Sequence, residues 1–81
     1  MEKKVTVTKL GANGSRDAAL IAQHAARFNA EVFLVYGTKK VNAKSLMGLM
    51  TLGLKSGMEI TLSATGRDEE SAVAELYKVI G

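Results

Sequence analysis

Met58-Glu-Ile-Thr-Leu-Ser-Ala-Thr65 alternates apolar and polar residues without a break. Successive side chains on a strand point to opposite faces, so this run carries one apolar face: Met58, Ile60, Leu62 and Ala64. A chain holding such a strand must build a sheet with one covered side and one wet side. Val5-Thr-Val-Thr repeats the pattern, with Val5 and Val7 inward. Glu31 to Tyr36 is rich in β-branched and aromatic residues and reads as a further strand. Gly37-Thr38 turns it into a short return strand, Lys39 to Ala43. The covering layer is legible too. Ala18, Ile21, Ala22, Ala25 and Phe28 follow helical spacing and form a stripe of mostly small residues that predicts close helix packing. Ser15 is expected to cap this helix, with Asp17 suited to its first turn. Ala72, Val73, Leu76, Val79 and Ile80 are the stripe of a last helix, with Asp68 as its expected cap and Glu69 and Glu70 behind it. With a short helix after Ser45, the order is β-α-β-β-α-β-α. That is an α+β class with the helices on one face of the sheet.

Eighty-one residues without linker, repeat or low-complexity segment predict one domain, 1–81, with one modest core. The chain has no cysteine, so it has no disulfide and no thiolate metal site, and a reducing compartment fits. Met-Glu-Lys-Lys opens the chain without an apolar segment behind it, and no run approaches membrane-spanning length. The expectation is a cytoplasmic protein with no membrane partner. The net charge of +3 is spread over scattered Lys and Arg, and there are only four aromatic residues. Direct nucleic-acid binding is therefore not favoured.

Asn42 to Gly57 is the stretch that suggests a function. Ser45 is of a helix-capping type, Leu46 begins the apolar run, and Gly53 can close the helix in a left-handed turn. At about 100° per residue, Leu49 and Leu52 fall on one side, Met47 and Met50 on the other, and Leu46 between. A two-turn helix cannot bury both sides. Leu49 and Leu52 are read as core, leaving Leu46, Met47 and Met50 as an adaptable patch beside a serine hydroxyl, suited to a protein partner. The plainer alternative is that the whole segment is ordinary core.

Other motifs carry less. Gly11-Ala-Asn-Gly14, between a strand and a helix, reads either as a plain turn or as an anion-binding nest. It lacks the length and lysine of a phosphate-binding P-loop. His24 is the only histidine. It lies on the shoulder of its helix's apolar stripe and is expected to be half packed or solvated. No metal-ligand spacing and no nucleophile-base-acid set is visible, so neither a metal, a cofactor nor enzymatic catalysis is expected. Arg16, at the start of the first helix, is either an exposed charge or a guanidinium fork for a phosphate or carboxylate.

These residues together resemble HPr, the small phosphocarrier family of the bacterial sugar phosphotransferase system, over essentially the whole chain. The most specific match is Lys39-Lys-Val-Asn-Ala-Lys-Ser-Leu-Met-Gly-Leu-Met-Thr-Leu-Gly53, which is similar to the family's regulatory serine segment. Asn29-Ala-Glu-Val-Phe-Leu, Gly57-Met-Glu-Ile-Thr-Leu and Gly66-Arg-Asp-Glu-Glu support it. The resemblance implies an open-faced β-sandwich with sheet order 1-4-2-3 and three helices on one face.

One departure bears on function. The family's active site reads Gly-Ile-His-Ala-Arg-Pro, its histidine carrying the phosphoryl group; here the same place reads Ala12-Asn-Gly-Ser-Arg-Asp17. Arg16 matches the family arginine, Gly14 stands at the histidine position, and Asp17 replaces the proline. His24 lies eight residues beyond Arg16, about 12 Å along a helix, too far to substitute. The chain is thus similar to the histidine-less Crh subfamily. That likeness implies regulatory phosphorylation of Ser45 by an HPr-kinase-type enzyme, followed by binding to a catabolite-control transcription factor in carbon catabolite control. Other phosphotransferase-system proteins are further possible partners. The partner-facing residues it implies are Arg16, Ala19, Gln23, Leu46, Met47 and Met50. The alternative is a phosphocarrier or scaffold subunit with a non-histidine acceptor such as Ser15; a serine phosphate ester is a poor donor.

Overall fold

The structure, a computed structural model, describes residues 1–81. The elements are β1 (Glu2–Thr6), α1 (Gly14–Ala25), β2 (Glu31–Tyr36), β3 (Lys39–Asn42), α2 (Leu46–Leu52), β4 (Glu59–Thr65) and α3 (Glu69–Ile80). The strands form one antiparallel sheet in the order β1-β4-β2-β3. The perfectly alternating run is therefore a central strand, bonded along both edges. Register aligns the inward residues in rows: Val5 faces Ile60, Leu34 faces both Leu62 and Val41, and Val32 faces Ala64. The helices cover this face. α3 lies on β4 and β1, α2 lies on β3, and α1 packs against α2 and α3.

Ala18 and Ala25 of α1 are buried, and their small side chains let the helix approach its neighbours closely. Ala22 and Phe28, read as part of the same stripe, are only half-buried at its margin. On the shoulder, His24 Nδ1 lies 2.6 Å from Glu75 Oε2 on α3, with Arg27 3.7 Å from the same oxygen. The other side of the sheet is wet, and there Lys40 Nζ stands 4.5 Å above the Phe33 ring. No helix is long and apolar enough to cross a membrane.

Backbone donors move several boundaries from where side-chain patterning put them. β1 starts at Glu2 because pairing with β4 runs to the first residue: Ala64 N–H donates to the Met1 carbonyl. Thr8 leaves the sheet, since its N–H and that of Lys9 donate to the Ile80 carbonyl at the end of α3. Val7, though beyond β1, stays buried and bonded to Gly57 and Met58. The cap of α1 is Asn13 rather than Ser15: Asn13 Oδ1 accepts from Arg16 N–H at 3.1 Å. Ser15 already has helical backbone, so its hydroxyl cannot reach forward over the first turn.

Asp68 occupies the cap position of α3, and its carbonyl accepts from Ala72 N–H, but its side chain makes no bond to its own helix. Its carboxylate instead accepts from Asn29 N–H (2.9 Å) and Ala30 N–H (2.8 Å), stapling α3 to the start of β2. Gly66 allows this approach, because a Cβ there would stand 2.7 Å from Ala30 Cα. The Asn29 N–H is the largest influence drawing the Asp68 carboxyl below its ordinary range, against an opposing cost of desolvation; Ala30 and Lys44 add to the lowering. Glu69 is also lowered, first by Gly66 N–H and then by the N-terminal amine.

Candidate functional site

Ser45 sits where β3 hands over to α2. Its N–H donates to the Asn42 carbonyl and its own carbonyl accepts from Leu49 N–H, so the residue is fixed on both sides. Its φ of −100° and ψ of 112° are extended, and its Oγ accepts from Gly48 N–H at 3.1 Å, the geometry of an N-cap. Gly48 is unfavourable in a helix by about 1 kcal/mol relative to alanine. What it provides is room: a Cβ there would lie 3.3 Å from Ser45 Oγ and 3.4 Å from Val41 Cβ. Gly53 ends the helix with φ 66°, a left-handed cap whose N–H donates to the Leu49 carbonyl.

Between these caps the helix has two sides, as its spacing predicts. Leu49 and Leu52 are buried at 2 % and 4 % exposure, whereas Leu46, Met47 and Met50 stand at 46 %, 79 % and 50 %. Ser45 itself is half-buried at the margin of that exposed side. Arg16 and Gln23 are exposed and Ala19 is half-buried. At i, i+3 and i+7 these three form one stripe of α1, the helix that packs on α2.

The loop before α1 is built differently from an anion cradle. Asp17 is buried at 8 % exposure, a placement its charge did not suggest. Its Oδ2 accepts from Gly11 N–H at 2.7 Å and from Asn13 N–H at 3.4 Å. Two donors that an incoming anion would use are already committed to an internal carboxylate. Gly11, at φ 114°, has no space for a side chain, since a Cβ would sit 2.3 Å from Ser56 N. Gly14 is exposed with nothing near its missing Cβ. Arg16 lines an open depression of about 290 Å³ with Lys9, Leu10, Ala12, Asn13, Asp17 and Leu20. No residue of α2 lines it, so Arg16 and Ser45 do not share this depression. His24 is tied to Glu75 and lines neither. No group of three His, Asp or Glu side chains is placed to hold a metal ion.

The whole chain, residues 1–81, matches the family model described as the PTS HPr component phosphorylation site. The HPr-like protein Crh of Bacillus subtilis (strain 168) is 47% identical over 76 residues, covering 94% of this chain and 89% of its own. The crystal structure of a phosphocarrier protein HPr from Bacillus anthracis superposes with TM-score 0.92 at 40% identity, covering 100% of this chain and 96% of that one. A crystal structure of Bacillus subtilis Crh, described as a domain-swapped dimer, gives TM-score 0.77 at 48% identity over 90% of this chain and 80% of that one. The chain belongs to the HPr family, with the open-faced sheet and three helices of that fold. It is thus an HPr-like protein, similar to Crh and to phosphocarrier HPr.

Proposed function

We propose that this chain is a non-enzymatic regulatory binding module in carbon catabolite control, addressed by phosphorylation of Ser45. A single contrast carries the reading. Ser45 stands on a fixed cap beside exposed Leu46, Met47 and Met50, while the family's phosphoryl-accepting loop has Gly14 in place of histidine and its donors engaged by Asp17. An HPr-kinase-type enzyme adds the phosphate. The dianion then stands next to the apolar patch, and Gly48 N–H, which donates to Ser45 Oγ in the unmodified chain, can turn to a phosphate oxygen. This mixture selects a partner offering a basic pocket beside an apolar groove and rejects one offering carboxylates. A catabolite-control transcription factor is the partner that the Crh likeness suggests, with Arg16, Ala19 and Gln23 as the adjoining contact stripe. The reading needs no cofactor, no membrane and no direct nucleic-acid contact, and it places the protein in the cytoplasm.

The test is binding of phosphorylated and unphosphorylated protein to such a regulator by calorimetry. Phosphorylation should tighten binding at least about tenfold, equivalent to about 1.4 kcal/mol. Met47→Ala with Met50→Ala should weaken the phosphorylated complex and leave the urea midpoint nearly unchanged. Equal binding of the two forms contradicts the reading, as does unfolding of the double variant.

A further inference from the structure

The four methionines are not equivalent. Met47 is 79 % exposed and Met50 50 % exposed, three residues apart on the outer side of α2. Met1 is 47 % exposed but lies on the sheet edge, paired through its backbone with Ala64. Met58 is half-buried against the core, and its sulfur accepts from Lys55 N–H at 3.1 Å. The chain has no cysteine, so no thiol competes for an oxidant. Half of its oxidisable sulfur thus flanks the Ser45 cap. We propose that Met47, with Met50 beside it, is an oxidant-addressed switch: sulfoxide formation makes the apolar side of the Ser45 surface polar and blocks docking there.

The chemistry requires a two-electron oxidant of the peroxide class. The thioether lone pair attacks one peroxide oxygen; the S–O bond forms as the O–O bond breaks. The departing hydroxide takes the proton of the transferred oxygen and leaves as water, so sulfur loses two electrons and the peroxide gains them. The product is a polar sulfoxide that a thiol-dependent methionine sulfoxide reductase converts back. Exposure makes the change silent for the fold. Neither Met47 nor Met50 contributes to the core, so the added oxygen meets water rather than packed side chains. A partner that buries the methionine loses an apolar contact and must desolvate the sulfoxide.

This inference rests on the docking reading of Ser45, and its test separates the two. The intact protein is treated with graded hydrogen peroxide and mapped by peptide mass. Oxidised, reductase-treated and Met47→Leu/Met50→Leu proteins are then offered to an HPr-kinase-type enzyme with ATP. Met47 should oxidise first and Met58 last, with the thermal melt unchanged. The rate of Ser45 phosphorylation should fall roughly tenfold on oxidation, the order expected when a buried interface side chain turns polar. Reductase should restore the rate, and the double leucine variant, whatever its own starting rate, should show the same rate before and after peroxide. Equal rates for oxidised and reduced protein overturn the switch and leave the Ser45 reading standing. A kinase that ignores the reduced protein overturns that reading and the switch with it. Oxidation of Met58 as fast as Met47, or unfolding of the oxidised protein, also overturns the proposal.

Discussion

Ser45 does two jobs with one oxygen. It caps α2 by accepting from Gly48 N–H, and it presents a hydroxyl at the margin of an exposed apolar patch. Ser45→Ala should cost at most about 1 kcal/mol, the worth of a typical cap, and should abolish labelling by the kinase. A denaturation curve and an autoradiograph of the same sample check both. Asp17 is the opposite kind of residue, a charge used inwardly. Asp17→Ala leaves the Gly11 and Asn13 N–H groups without their carboxylate acceptor. It should cost about 1–3 kcal/mol, read from the urea midpoint. A wild-type midpoint would mean that water satisfies those donors equally well.

At the scale of elements, what was legible in the sequence is what side-chain period encodes. The alternation of β4, the split faces of α2 and the stripe of α3 each follow from which residues recur at which interval. The Ser45 and Gly53 caps were legible because their chemistry is local. What was not legible depends on backbone donors brought in from elsewhere. Asp68 reads as the cap of its own helix, yet its acceptors serve Asn29 and Ala30, far back in the chain. Asn13 displaces Ser15 because helix start is decided by backbone angles that neighbouring residues set. No local pattern marks Glu75 as the partner of His24, because the two meet only when α1 and α3 pack. The Asp68 staple has a pH consequence. Asp68 and Glu69 both titrate lower in the folded chain than unfolded, so on acidification the unfolded chain takes up protons first. Their stabilisation is complete above the ordinary carboxylate range and is lost as pH falls through the lowered folded values. Urea midpoints measured from pH 7 down to pH 2 should therefore decline, and Asp68→Asn should flatten part of that decline. An unaltered slope in the variant would show that the staple is not electrostatic.

The molecule as a whole separates support from display. The sheet's inner face and the three helices hold most of the buried residues, with Leu62 at the middle of the central strand fully enclosed. Leu62→Ala should cost about 2–5 kcal/mol in chemical denaturation, as a deletion in a closed core does. The residues assigned to partners lie outside that core, on α2 and along one stripe of α1. They can therefore change while the family fold persists. On the proposed function, this division is what would let an HPr-family chain carry Gly14 in its first loop and still present Ser45. Intact-mass measurement after two parallel incubations tests the account most directly. One incubation uses an HPr-kinase-type enzyme with ATP; the other uses the phosphotransferase system's enzyme I with phosphoenolpyruvate. The account predicts one added phosphate in the first, lost in Ser45→Ala, and an unchanged mass in the second. An acid-labile phosphate acquired from phosphoenolpyruvate, with no change under the kinase, would contradict it.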